Sequence, residues 1–326
     1  MRSVHGERFQ PYANPYTPAE RSFEDPLPVA DSDATGTQLI RLRPLPDETT
    51  VTAIDVSSIR LGETETGLLC AIRGVIVWKE KGQYRYLRLG PFPFHITEEN
   101  KREIYSLFRQ YSFERPEGMM TPSLLNIQAR MGNLFERWLQ MCVSSSCRGD
   151  LILWDGSLTA GTVDSPVNVV SQLLEIARIG FNSVLAFSKV SRLRLHGHRI
   201  IDLLGECQPP CLLEIEDVHF PSGPIRLLGD IYIAKFSRGS CSFRLDIDRR
   251  IPREQRLEAM QKLLGNDVLH QGYPETLRLA HIFSTFTASE VIGIQRYVAQ
   301  EWGLRMVTRP NVRRLLFGPF GKGPEG

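Results

Sequence analysis

From residue 51 onward the apolar positions either run together briefly or alternate with polar ones, the period-2 signature of strands. Residues 51–59 (VTAIDVSSI), 67–79 and 83–89 are three such runs, parted by Gly62-Glu63-Thr64-Glu65-Thr66 and Glu80-Lys81-Gly82. They predict a three-stranded meander. The period then lengthens. Ile104, Leu107, Phe108 and Tyr111 recur at i, i+3, i+4, i+7 and predict a helix over 97–112. Leu124, Leu125, Ile127, Met131, Leu134, Phe135, Trp138 and Leu139 predict a second over 123–143. Residues 151–154 and 183–187 are short buried strands, and between them 167–180 is helical and closes on Gly180. Strand alternation returns at 227–236 and 242–247, and helical texture at 252–264, 274–286 and 288–302. The order βββ-αα-β-α-β, then two strands and terminal helices, predicts an α/β fold with a mixed sheet flanked by helices.

Residues 1–46 show neither period. They are polar and proline-rich, with Pro11, Pro15, Pro18, Pro26 and Pro28, and predict an extended arm suited to wrapping a partner or the body of the domain. The first residues, MRSVHGERFQPYANP, have no apolar core, so no signal peptide is expected and a cytoplasmic setting follows. The longest apolar stretch, 67–78, is interrupted by Arg73 and reads as a buried strand rather than a membrane span.

Composition narrows this little. At 326 residues, 42% hydrophobic and 23% charged, the chain is an ordinary globular protein of one large or two modest domains. Its net charge of +2 neither demands nor forbids nucleic acid. Two local clusters carry more positive charge: Arg192, Arg194, His196, His198 and Arg199, and then Arg305, Arg309, Arg313 and Arg314. Each is equally a solvated face. The six cysteines include two close pairs, Cys142 with Cys147 and Cys207 with Cys211, but no His-x3–5-His pair accompanies them to complete a zinc site.

The candidate chemistry lies at strand ends. In LILWDGSLTAG the apolar run 151–154 finishes on Asp155, and about a hundred residues earlier Asp55 follows Ala53 and Ile54 in a similar run. Asp155-Gly156 suits a hairpin turn, but 158–166 is no return strand, so Asp155 is expected at the C-terminal end of a strand, where α/β sheets bind ligands. Two carboxylates approaching there repel, and a cation such as Mg²⁺ or Mn²⁺ settles them. Either Asp alone is also explained as a turn or helix cap. Glu136, set among Phe135, Trp138 and Leu139, offers a third carboxylate. Asp, Glu and Asp from a strand, a helix and a later strand suit two-metal phosphoryl transfer. His281, two turns into the helix after Gly272-Tyr273-Pro274, is a further ligand or proton shuttle, or a satisfied core histidine.

Taken in order, Ala53-Ile54-Asp55-Val56-Ser57-Ser58, a helical Glu, Asp155-Gly156-Ser157-Leu158, Ser188-Lys189 and Gly272-Tyr273-Pro-x5-Ala-His281 resemble the NurA nuclease family over residues 50–305. The resemblance implies a ribonuclease-H-like nuclease domain over 47–310, with a tail over 311–326. It implies Mn²⁺ or Mg²⁺ as cofactor, 5′-to-3′ exonuclease and single-strand endonuclease activity on DNA, a homodimer, and a HerA-type hexameric translocase as partner in end resection. Carried onto this chain, Asp55, Glu136, Asp155 and His281 are the catalytic metal-binding set. Lys189, Tyr273 and Arg192 are the candidate DNA or phosphate contacts.

Rival readings remain at this point. An actin-like or sugar-kinase-like phosphotransferase shares the fold class, but needs glycines after its phosphate-binding aspartate where this chain has Val56-Ser57-Ser58. A catalytically silent scaffold of the same fold is the other. No GxxxxGK[ST] loop is present, so processive resection needs a motor from a partner.

Overall fold

The alternating runs assemble into one nine-stranded mixed sheet. In a computed structural model, which describes residues 31–32, 37–110, 121–191, 193–195, 198–215, 224–239 and 241–307, its strands are β1 (Thr37–Arg41), β2 (Val51–Glu63), β3 (Gly67–Glu80), β4 (Gln83–Thr97), β5 (Leu151–Asp155), β6 (Ser183–Ser188), β7 (Cys211–Ile215), β8 (Gly229–Lys235) and β9 (Phe243–Asp248). Their spatial order is β1-β7-β8-β9-β6-β5-β2-β3-β4. The central strands β2, β5 and β6 run parallel, and antiparallel strands extend the sheet on both sides. The helices are α1 (Lys101–Gln110), α2 (Leu124–Ser146), α3 (Val167–Ile179), α4 (Arg253–Asn266), α5 (Glu275–Ser284) and α6 (Ala288–Glu301).

The strand period decides which helix covers which face. On β2 and β5, Ala53, Leu151 and Leu153 point to one side and pack with Met260 of α4 and Leu277 and Ala280 of α5. Ile54, Ile152 and Trp154 point to the other and pack with Leu139 and Val143 of α2 and Leu173 and Leu174 of α3. The same alternation on β3 sends Leu68, Cys70 and Ile72 to α1 and α2, and Leu69 and Ala71 to the α6 side. Gly74 on β3 lets α2 approach closely, since a Cβ there would lie 2.6 Å from Leu139 and 2.7 Å from Phe135.

Three features depart from the sequence pattern. Thr37–Arg41, within the span assigned to the arm, is one of the sheet's two edge strands, paired along its length with β7. β7 itself has no counterpart among the expected strands. β4 runs to Thr97 rather than stopping at Leu89, because an outermost strand accommodates Pro91 and Pro93 where no further strand needs their N–H groups. No helix among the described residues is long and apolar enough to cross a membrane.

Arg73, the charge that interrupts the apolar run of β3, is 2% exposed and forms the clamp that holds the C-terminal helices on the sheet. Its guanidinium donates to Glu290 at 2.8 Å and to the Thr285 carbonyl at 3.1 Å, and lies 4.2 Å from the centre of the Phe286 ring. Arg88 adds a bond to the Phe283 carbonyl at 3.2 Å. Two guanidiniums thus satisfy carbonyls at the end of α5, which would otherwise lack partners. Glu290 also closes the capping box of α6 with Thr287. The Arg73 bond, opposed by burial, holds the Glu290 carboxyl at about 2, down from 4.5.

A carboxylate with a depressed folded pKa stabilises above its unfolded value and loses that contribution as pH falls through the folded one. Glu290→Gln keeps an N3 side chain able to accept in the capping box, so it isolates the ion pair. Thermal melts are expected to show Glu290→Gln less stable at pH 7, by about 2 kcal/mol, with the gap closing between about pH 4.5 and 2. A gap that persists at the acid end would mean the clamp does not depend on charge.

Candidate metal centre

Asp55 and Asp155 meet because of register. β2 and β5 pair in parallel as Val51↔Leu151 through Ile54↔Trp154, an offset of one hundred that brings Asp55 and Asp155 level on neighbouring strands. Adjacent strands lie about 4.8 Å apart. Both residues share the parity of Ala53 and Leu153, so both face α5. That helix starts after Tyr273-Pro274 and offers His281 and Ser284 one turn apart toward the strand ends. Potential ligand atoms of Asp55, Asp155 and His281 all lie within 4.8 Å of one another.

Beyond Asp155 the chain turns at once. Gly156 adopts φ +117°, a left-handed conformation that favours glycine, and its N–H donates to the Phe187 carbonyl at 2.7 Å. Its own carbonyl accepts from Ser188 Oγ at 2.8 Å. The following loop is held by a fully buried pair, Arg244 and Asp246, 2.7 Å apart. Asp246 accepts from the Leu158 N–H at 3.0 Å, and Arg244 reaches Thr159 Oγ1 at 3.3 Å. Asp155 is therefore the last residue of a rigid strand, fixed from both sides.

The electrostatics are those of anions short of cations. Burial, and then the charge of Asp55, raise the Asp155 pKa, while the Lys189 ammonium, 2.8 Å from Oδ2, lowers it. His281 Nδ1 is 3.6 Å from Asp55 Oδ2, and this contact raises the imidazole pKa against the opposing effect of burial. The Ser284 hydroxyl reaches both Asp55 Oδ2 and the His281 carbonyl, at 2.9 Å from the latter. Tyr273 is buried beside the cluster. Its ring lies 5.3 Å from Lys189 Nζ, with Phe187 and Phe243 against it at 6.0 and 5.3 Å. Its buried hydroxyl has no hydrogen-bond partner among the described residues. Burial, with the two carboxylates, pushes its pKa well above the ordinary phenol value.

The donor set fits a divalent cation of the Mn²⁺ or Mg²⁺ class. It offers two carboxylates and one imidazole, a mix Mn²⁺ accepts readily and Mg²⁺ accepts with more water. Octahedral ligands about 2.1 Å from an ion stand about 3 to 4.2 Å apart, so a cluster spanning 4.8 Å closes on one with small adjustments.

Of the residues singled out from sequence, Asp55, Asp155 and His281 come together, with Lys189 and Tyr273 beside them. Glu136 stays outside the cluster. It is buried on α2, which packs on the Ile54 face, opposite the side that Asp55 and Asp155 present to α5. There its carboxylate accepts from Gln140 Nε2 at 3.1 Å. Arg192 lies outside the described residues. Neither cysteine pair belongs to a ligand cluster among the described residues, and all six cysteines are free. Ser284 was not anticipated. A serine near a helix C-terminus carries no sequence signal for this role, and only its spacing of three from His281 places it on the same face.

Two expectations follow. In Mn²⁺ titrations without substrate, Asp55→Asn and Asp155→Asn should each lose about a hundredfold or more in affinity, while Glu136→Gln stays within about threefold. Loss of binding only in Glu136→Gln would move the centre to the other face. Since a ligating imidazole must be neutral and His281 is raised above 6.5, Mn²⁺ affinity should climb with pH through that raised value. A flat profile from pH 6 to 8 would remove His281 from the ligand set.

The NurA nuclease from Sulfolobus solfataricus is similar in structure, with a TM-score of 0.53 at 17% identity, over 81% of this chain and 87% of that one. A NurA bound to dAMP and manganese gives 0.39 at 10% identity, over 84% and 92%. Endonuclease V from Bacillus subtilis gives 0.38 at 10%, over 81% and 88%. No protein-family model and no curated protein matches the sequence. The first likeness, across most of both chains, shows that this chain has the ribonuclease-H-like fold that its sequence resemblance to NurA implies.

Proposed function

We propose that the protein is a metal-dependent deoxyribonuclease of the NurA family. The observation that carries this is the convergence of Asp55, Asp155 and His281 at one point, on a fold shared with a NurA nuclease. A divalent ion held there would polarise a phosphoryl oxygen and lower the pKa of a bound water. The chain's own groups do the rest. Asp55 and Asp155, fixed by register, would hold that ion and so set where a phosphate can bind. Ser284 and His281 hold the Asp55 carboxylate, and Lys189 supplies positive charge on the cleft wall. Tyr273 packs its buried ring beside Lys189.

The finer activity follows the resemblance: 5′-to-3′ exonuclease and single-strand endonuclease cleavage in double-strand-break end resection, as a homodimer with a HerA-type translocase. The absence of a nucleotide-binding loop from the sequence supports an external motor. The six free cysteines support a reducing, cytoplasmic location. The two-metal form of the mechanism is the finest part of the proposal, and it does without Glu136, the further ligand that the resemblance implied. Because Glu136 is carried on the helix of the far face, a second ion would take ligands from Asp55 and Asp155, water and the substrate phosphate.

End-labelled single-stranded and duplex DNA, incubated with Mn²⁺ or Mg²⁺, tests this. Degradation of single strands and ends is expected, blocked by chelator and reduced about a hundredfold or more in Asp155→Asn. No degradation by folded protein with either metal, alone or with the translocase, would favour the silent scaffold instead.

A further inference from the structure

The contact between Lys189 and Asp155 carries more than a phosphate-binding role. Lys189 directly follows β6, whose Phe187 pairs with Asp155, so the backbone delivers the ammonium to the end of the strand beside the carboxylate. Nζ lies 2.8 Å from Asp155 Oδ2 with the Tyr273 ring 5.3 Å away, giving it an anion and an aromatic face as partners. The Lys189 side chain is 42% exposed while that of Asp155 is 23% exposed. The carboxylate is thus fixed and half-dry, and the ammonium sits at the mouth on a flexible four-carbon stem. The oxygen it holds belongs to a residue of the candidate ligand cluster.

We propose that Lys189 is a built-in counter-cation that competes with the metal for Asp155, and that metal binding frees its ammonium for the substrate's phosphate. This rests on the metal centre of the nuclease reading, and gives Lys189 two successive anionic partners within one cleft. Without a metal, two neighbouring carboxylates need compensation: Lys189 gives positive charge to Asp155, His281 when protonated gives it to Asp55, and Ser284 gives Asp55 a hydrogen bond. An ammonium and a divalent ion cannot both sit against one carboxylate without strong mutual repulsion. The stem allows the ammonium to swing out toward solvent, where a phosphodiester would arrive. A lysine that contacted phosphate alone would leave metal affinity untouched, and a lysine that helped build the metal site would raise it. Competition predicts the opposite sign.

The test is calorimetric titration of Mn²⁺ into the full-length protein without DNA, comparing wild type, Lys189→Met and Lys189→Arg. Lys189→Met keeps the stem and should bind Mn²⁺ about five- to fiftyfold tighter, the usual range of coupling between two sites. Lys189→Arg keeps the charge and should stay near wild type. In parallel assays Lys189→Met should cleave DNA more slowly at saturating Mn²⁺, with a raised KM for the oligonucleotide. Unchanged or weaker Mn²⁺ binding by folded Lys189→Met would overturn the proposal. The titration contains no DNA, so a protein that shows tighter binding in Lys189→Met yet cuts nothing would sink the nuclease reading alone.

Discussion

Two carboxylates forced to the same level on adjacent strands dominate the chemistry of this molecule. The parallel pairing of β2 with β5 places Asp55 beside Asp155, and the apolar packing of both strands leaves no freedom to separate them. Like charges at this spacing in a half-buried setting call for positive charge or strong donors. The chain provides both. Lys189 comes from the end of β6, and His281 and Ser284 come from α5. Each element that reaches the cleft therefore answers the same electrostatic demand, and a divalent cation answers it more completely.

That demand explains why the C-terminal helices are fastened so firmly. α5 is short, and it must bring Ser284 to within a hydrogen bond of Asp55 and His281 to 3.6 Å from it. Its C-terminal carbonyls are gripped by Arg73 and Arg88, and Arg73 reaches on to Glu290 in the next helix. The clamp sits on the same sheet face as Asp55, two residues along the neighbouring register. On the opposite face of the sheet, the buried Arg244–Asp246 pair fixes the loop after Asp155. A buried ion pair adds little net stability over apolar packing but specifies geometry, and the Arg244–Asp246 pair does so next to Asp155, while the half-buried Arg73–Glu290 pair holds the helix that faces Asp55.

Much of this was legible in the sequence. The period-2 runs gave the meander and the central strands, and the periodic apolar faces gave the helices. The strand-end aspartates stood out because a carboxylate closing an apolar run is chemically expensive. What escaped has physical causes. β1 hides in a proline-rich segment and β7 is a five-residue strand, CLLEI, directly after Pro209-Pro210, so neither offers enough alternation to be told from loop. The face on which a helix lands is a tertiary fact. Glu136 could be seen to sit among inward-facing residues of α2, but not that α2 covers the Ile54 side, away from Asp55 and Asp155. Arg73 looked like an interruption, because its partner Glu290 is more than two hundred residues away.

The central claim is that Asp55, Asp155 and His281 form one metal centre. Anomalous scattering from a crystal grown with Mn²⁺ tests it most directly. The account predicts a peak between these three side chains, about 2.2 Å from a carboxylate oxygen of each aspartate and from an imidazole nitrogen, with Lys189 withdrawn from Asp155. A crystal with full Mn²⁺ occupancy elsewhere and none between these residues would contradict it.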